Sequence, residues 1–203
     1  MIRAFLAVQL PEPLRESLAS IQSDVKRGMV HDLPREASLS WVRQASLHLT
    51  VKFLGDIDEG LVVRLQDAMT DTLRHHRAIR IPLDRLGVFP RLQQPRILWI
   101  GPSDGWENSE EALRLTALHR AIEECCETLD LAPDARPLSA HLKLARIKAG
   151  HRAVGQALAR SGVMDRTLAV GPLSVHAIAL MRSELKPTGS VYTALWESRL
   201  QAA

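Results

Sequence analysis

The chain is short of several things, and each shortage closes off a class of function. It has two cysteines in 203 residues. They are neighbours, Cys125 and Cys126, inside a stretch with helical spacing. Adjacent helical residues do not meet ordinary disulfide geometry, so the pair predicts packing side chains in a reducing, cytoplasmic setting. No run approaches the roughly 18 apolar residues of a membrane helix, and no membrane partner is expected. The opening residues MIRAFLAVQLPEPL alternate like a strand and offer no small-residue cleavage site, so no signal peptide is expected. H-E-x-x-H and C-x-x-C are missing, which leaves zinc without support, and adjacent His75 and His76 point about 100° apart on a helix, a poor metal pair. A glycine-rich phosphate loop is missing too, which leaves ATP without support. No cofactor and no metal are therefore expected. Lysine is scarce: five of the 26 basic side chains, the rest being arginine. Arginine suits planar contact with phosphate and stacking on bases. Yet the net charge is only +3, and arginine bias also follows from genome base composition, so composition points to nucleic acid only weakly.

What is present is enough chain for one large domain or two small lobes with a sizeable core. Residues 2–9 alternate, with Ile2, Ala4, Leu6 and Val8 on one face and Arg3, Phe5 and Ala7 on the other, which predicts a strand. Leu14, Leu18, Ile21 and Val25 have helical spacing and predict a helix over 12–29. Further strands are predicted at 40–43, 47–54 (ended by Gly55), 78–88, 96–101, 138–145, 167–171, 173–183 and 190–199, with a Pro187-Thr188-Gly189 turn before the last. Further helices are predicted at about 58–75, capped by Asp56 or Asp58, at 109–130, starting on Ser109, and at 150–161. Strands and helices alternate without a strict β-α-β rhythm, which favours α+β. Trp41 and Trp99 read as core, and His119, His151 and His176 as surface or packing residues.

Two of the strands are near repeats: His48-Leu49-Thr50-Val51 and His141-Leu142-Lys143-Leu144. In an extended strand residues i and i+2 share a face. His48 therefore shares a face with Thr50, and His141 with Lys143, while the alternate apolar residues face a core. Brought together, the two strands set two imidazoles opposite each other with a hydroxyl and an ammonium beside them. That is equipment for acid–base chemistry on a phosphate ester.

With these motifs and their flanks (Arg3-Ala4-Phe5, Trp41, Lys52-Phe53-Leu54-Gly55, Gly87-Val88-Phe89-Pro90, Pro95-Arg96-Ile97-Leu98-Trp99, Ala145-Arg146, Arg182-Ser183-Glu184-Leu185, Gly189 and Tyr192) the chain resembles the two-histidine phosphoesterase superfamily. Within it the match is to the RNA 2′,3′-cyclic phosphodiesterases, also called the 2′-5′ RNA ligase family. The resemblance implies a single bilobal α+β domain over residues 1–203. Two antiparallel sheets with outer helices, related by a pseudo-twofold axis, flank a central cleft. It implies metal-independent opening of a 2′,3′-cyclic phosphate at an RNA end to a 2′-phosphate, and reversible joining of 2′-5′-linked tRNA halves; a monomer is expected, in the cytoplasmic setting that the cysteines suggest. It makes His48 and His141 catalytic, gives Thr50 and Lys143 the phosphate oxygens, and sets Phe53 and Arg146 around the nucleobase.

Two tensions stand in the residues. The family has Thr or Ser where this chain has Lys143, so the alternative is a module that binds RNA ends with weakened catalysis. Phe53 and Arg146 also lie at odd offsets from their histidines, so a bulge or twist must turn each onto the histidine face.

Overall fold

The structure, a computed structural model, describes residues 1–134, 137–187 and 189–201. Most of the predicted elements form. β1 (Ile2–Gln9) divides its side chains as period two requires: Ile2, Ala4, Leu6 and Val8 enter the main core, and Phe5 and Ala7 join Ala179 and Met181 in a small second cluster on the opposite face. α1 (Glu12–Met29) buries Leu14, Leu18, Val25 and the amide of Gln22. α3 (Glu110–Glu127) starts on Ser109, whose hydroxyl accepts a hydrogen bond from the Ala112 N–H at 3.2 Å. α2 (Leu61–Leu73) and α4 (His151–Arg160) complete the described helices. None of these helices is long and apolar enough to cross a membrane. Cys125 and Cys126 are buried on α3, and burial pushes the Cys126 thiol up to about 12.

The remaining strands are β2 (Ser38–Trp41), β3 (His48–Ile57), β4 (Ile79–Pro82), β5 (Arg85–Phe89), β6 (Ile97–Gly101), β7 (Leu142–Ala149), β8 (Pro172–Val175), β9 (Ala177–Lys186) and β10 (Gly189–Arg199). They make two four-stranded antiparallel sheets, ordered β10-β9-β1-β3 and β2-β7-β6-β5, and a β4-β8 ribbon. α2 and α3 back the first sheet: the Trp196 indole donates to the Val62 carbonyl at 3.1 Å, and Lys52 of β3 reaches Glu123 of α3. α1 and α4 back the second, through Gln22 and through α4 against β7. β3 and β7, the two motif strands, pack against each other where the sheets meet.

Several predicted boundaries move, each for a local reason. The single strand expected over 78–88 is two strands in different sheets, β4 and β5. Ile79, Ile81 and Leu83 are buried on one parity and Leu86 on the other, so the alternation slips by one residue at the corner between the two strands. The corner is held by the Asp84 N–H on the Gly101 carbonyl (3.2 Å) and the Asp84 carbonyl under the Leu168 N–H (2.8 Å). That last bond is what residues 167–171 do instead of forming a strand. The stretch 173–183 breaks at His176 into β8 and β9. Gly55 does not end β3: it takes φ 71° inside the strand, which continues to Ile57 opposite Ile2. Asp58 accepts from the Gly60 N–H at 2.7 Å in a turn before α2 rather than capping the helix itself. β2 starts and ends two residues earlier than expected, and β7 starts at Leu142 rather than 138. Thr188 of the expected Pro187-Thr188-Gly189 turn lies outside the described residues.

Candidate active site

His48 is the first residue of β3, and His141 immediately precedes β7. Their local settings are copies. Nδ1 of His48 lies 2.8 Å from the carbonyl oxygen of Ser46, and Nδ1 of His141 lies 2.8 Å from that of Ser139. A carbonyl only accepts, so each Nδ1 carries the hydrogen. Each neutral ring then keeps its lone pair on Nε2, free to take a proton.

Aromatic walls hold both rings. His48 rests on Phe5 (4.9 Å between centroids, 36° between planes) and meets Tyr192 edge-on at 5.1 Å. His141 meets Phe89 edge-on at 5.0 Å and Trp99 at 6.2 Å. Trp99, expected in the core, is half-buried and belongs to this wall. Its indole lies across Gly87, its partner on β5: a Cβ there would come within 2.0 Å of the ring. Phe5, Tyr192, Phe89 and Trp99 come from four strands spread over the chain, so no local spacing marks them as one site.

The two required bulges are present. Along β3, Thr50 faces Ala7 and Lys52 faces Leu6, so β3 carries one extra residue there. The consecutive residues Val51 and Lys52 are both buried, and the alternation is reset. Phe53 thereby returns to the face of His48 and Thr50; it is 67% exposed, with its ring 6.1 Å from Phe5. Along β7, Trp99 faces Lys143 and Leu98 faces Ala145, again with one residue extra. Leu144 and Ala145 are both buried, and Arg146 returns to the face of Lys143.

Electrostatics tie the halves together. Burial lowers the pKa of each imidazole, its carbonyl contact pulls the other way, and the positive charge of Lys143 lowers both further. One ammonium thus lies within electrostatic reach of both rings. Lys143 is open to solvent, and partial burial of its ammonium, followed by the charge of Arg146, lowers its own pKa.

Among the described residues, the one set of His, Cys, Asp and Glu side chains close enough to share an ion is His119, Glu123 and Asp134. It lies behind β3, around Lys52, and includes neither motif histidine. A cavity of about 620 Å³ opens beside Gln94, Arg96, His151 and Arg152 at the start of α4, and neither His48 nor His141 lines it.

Known proteins resemble this chain in sequence and in fold. A family model described as LigT like Phosphoesterase matches residues 8–99. The RNA 2′,3′-cyclic phosphodiesterase of Methanothermobacter thermautotrophicus is 33% identical over 199 residues, covering 98% of this chain and 99% of that protein. The chain belongs to the LigT-like phosphoesterase family. The relative of the same name from Aquifex aeolicus is 28% identical over 97% of this chain and 96% of its own. Among solved structures, one from Thermus thermophilus matches this LigT-like phosphoesterase with a TM-score of 0.69 at 27% identity, over 98% of each chain. Escherichia coli LigT, crystallised with 3′-AMP, matches over 98% of each chain with a TM-score of 0.71 at 21% identity, a likeness of fold.

Proposed function

We propose that the protein is an RNA 2′,3′-cyclic phosphodiesterase that works by paired histidine acid–base catalysis without a metal. The observation that carries this is the single Lys143 charge bearing on two imidazoles that each keep Nε2 free. The name shared by relatives matching nearly the full length supports it.

Hydrolysis needs water to lose a proton, the leaving O3′ to gain one and the charge at phosphorus to be held. Water attacks phosphorus while His141 takes its proton; the P–O3′ bond breaks as His48 gives its proton to O3′. The product is a 2′-phosphate with a free 3′-hydroxyl, and the two rings have exchanged protonation states. Each well-placed acid or base contributes roughly 10²–10⁴-fold. Thr50 and Lys143 hold the non-bridging oxygens, Lys143 as a point charge where the family uses a hydroxyl. Phe53 and Arg146 enclose the base, and ring–base stacking tolerates any base. The whole chain acts as one bilobal unit, a cytoplasmic monomer. Its partners are RNA ends carrying a cyclic phosphate and 2′-5′-linked tRNA halves, which it also joins reversibly.

The test is incubation with a 2′,3′-cyclic nucleotide in EDTA. Appearance of the 2′-nucleotide at an undiminished rate is expected. Activity abolished by chelation overturns the metal-free mechanism, and tight binding with no product points instead to an RNA-end binding module.

A further inference from the structure

Four polar residues are buried among those described: Gln22, Lys52, His119 and Ser198, at 5%, 1%, 9% and 4% exposure. Ser198 bonds Thr70. The other three gather behind the two bulges. Lys52 is itself the second buried residue of the β3 bulge, and its ammonium donates to Glu123 Oε2 (2.7 Å) and to the Ala132 carbonyl (2.9 Å). His119, one turn before Glu123 on α3, sets Nε2 3.4 Å from the other carboxylate oxygen. Glu123 also accepts from the Asp134 N–H. Behind the second bulge, Gln22 of α1 donates from Nε2 to the carbonyl of Leu144, the extra residue of β7, and to the carbonyl of Val42, both at 2.9 Å.

A buried ion pair is weak evidence for stability, since an apolar pair of similar volume often does as well or better. Ala145 stands at the matching place in β7, so a bulge does not itself require a charge there. What a buried polar tie adds is direction: it rewards one register and leaves an unpaired group in any other. The cluster is not a vacant cation site, because the Lys52 ammonium already holds Glu123 Oε2.

We propose that the Lys52–Glu123 pair and Gln22 are positioning residues that lock the two strand bulges in register and so present Phe53 and Arg146 to the nucleotide. They touch no substrate. The proposal rests on the cyclic-phosphodiesterase reading for its kinetic form. The histidines precede the bulges, so loosening a bulge weakens nucleotide binding while leaving the proton-transfer pair in place.

The experiment compares wild type with Lys52→Met/Glu123→Leu together, Phe53→Ala and these three substitutions combined, and with Gln22→Met, Arg146→Ala and those two combined, using 2′,3′-cyclic AMP for kinetics and 2′-AMP for calorimetric binding. The paired substitution is expected to stay folded, to raise KM about tenfold, the loss of one modest stacking contact, and to leave kcat within about threefold. Phe53→Ala should raise KM similarly, and the combination should add little more, because both remove one contact. Gln22→Met should do the same against Arg146→Ala, and it carries the test alone if the paired variant does not fold. Unchanged KM in folded variants, a fall confined to kcat, or full additivity with Phe53→Ala each overturns the proposal. If wild type turns over no cyclic nucleotide, the cyclic-phosphodiesterase reading fails separately, and the 2′-AMP dissociation constants still decide the role of the ties.

Discussion

The strand that begins at His48 and the segment that begins at His141 share a backbone and differ in chemistry. Both histidines give Nδ1 to a carbonyl two residues back, and both strands reset their alternation with one extra residue after the second polar position. On that common frame, the first half presents a hydroxyl and a phenyl ring, the second two cations. On the proposed reading the difference divides the labour: Thr50 offers a hydroxyl and Lys143 a charge to the phosphate oxygens, and Phe53 and Arg146 enclose the base with a neutral and a charged plane. A duplicated frame with divergent side chains lets one substrate be held by unlike ends while the protons pass between like groups.

The comparison is broken most directly at the histidines. His48→Ala and His141→Ala should each lower kcat on a cyclic nucleotide by roughly 10²–10⁴-fold, with melting curves close to wild type. The double variant should lose little beyond either single, since the pair acts as a unit. A single variant with near wild-type kcat removes that ring from the chemistry. Next come the enclosing residues. Phe53→Ala should raise KM by about tenfold or more, as expected for a lost stacking contact. Arg146→Ala should raise KM too and also remove the lesser of the two influences, after burial, that lower the Lys143 pKa. An unchanged KM in the Arg146→Ala variant would remove Arg146 from the base site. The smallest effect sharpens the contrast at the matched positions. Lys143→Thr should preserve or raise activity and move the pH profile of kcat/KM to higher pH. Lys143 lowers both imidazole pKa values. The rising limb follows the base losing its proton and the falling limb the acid losing its own, so removing the cation shifts both limbs the same way. An unmoved profile would place the Lys143 charge out of reach of the rings.

Much of this was legible in the residues because the patterns are local. Ile2, Ala4, Leu6 and Val8 declare a strand, and Leu14, Leu18 and Val25 a helix, by spacing alone. The need for a bulge before Phe53 also follows from spacing, since five residues is an odd step. What spacing does not carry is where a strand changes sheets. Ile79, Ile81 and Leu83 are buried on one parity and Leu86 on the other, a one-residue slip that a bulge within a single strand would also produce, so it does not by itself announce the corner between β4 and β5. Nor does it carry the aromatic wall, whose four members meet only through sheet order, or the burial of Lys52, a residue type that nearly always keeps its ammonium in water. Its two partners, Glu123 and the Ala132 carbonyl, lie 71 and 80 residues away along the chain.

The bare backbone at Gly87 has a reach greater than its size. A methyl group there has to push aside the indole lying across it, and that indole's neighbours are Phe89 and His141. Two rings therefore act as a lever between a strand remote in sequence and the imidazole, and where that imidazole rests is set by an atom the protein does without.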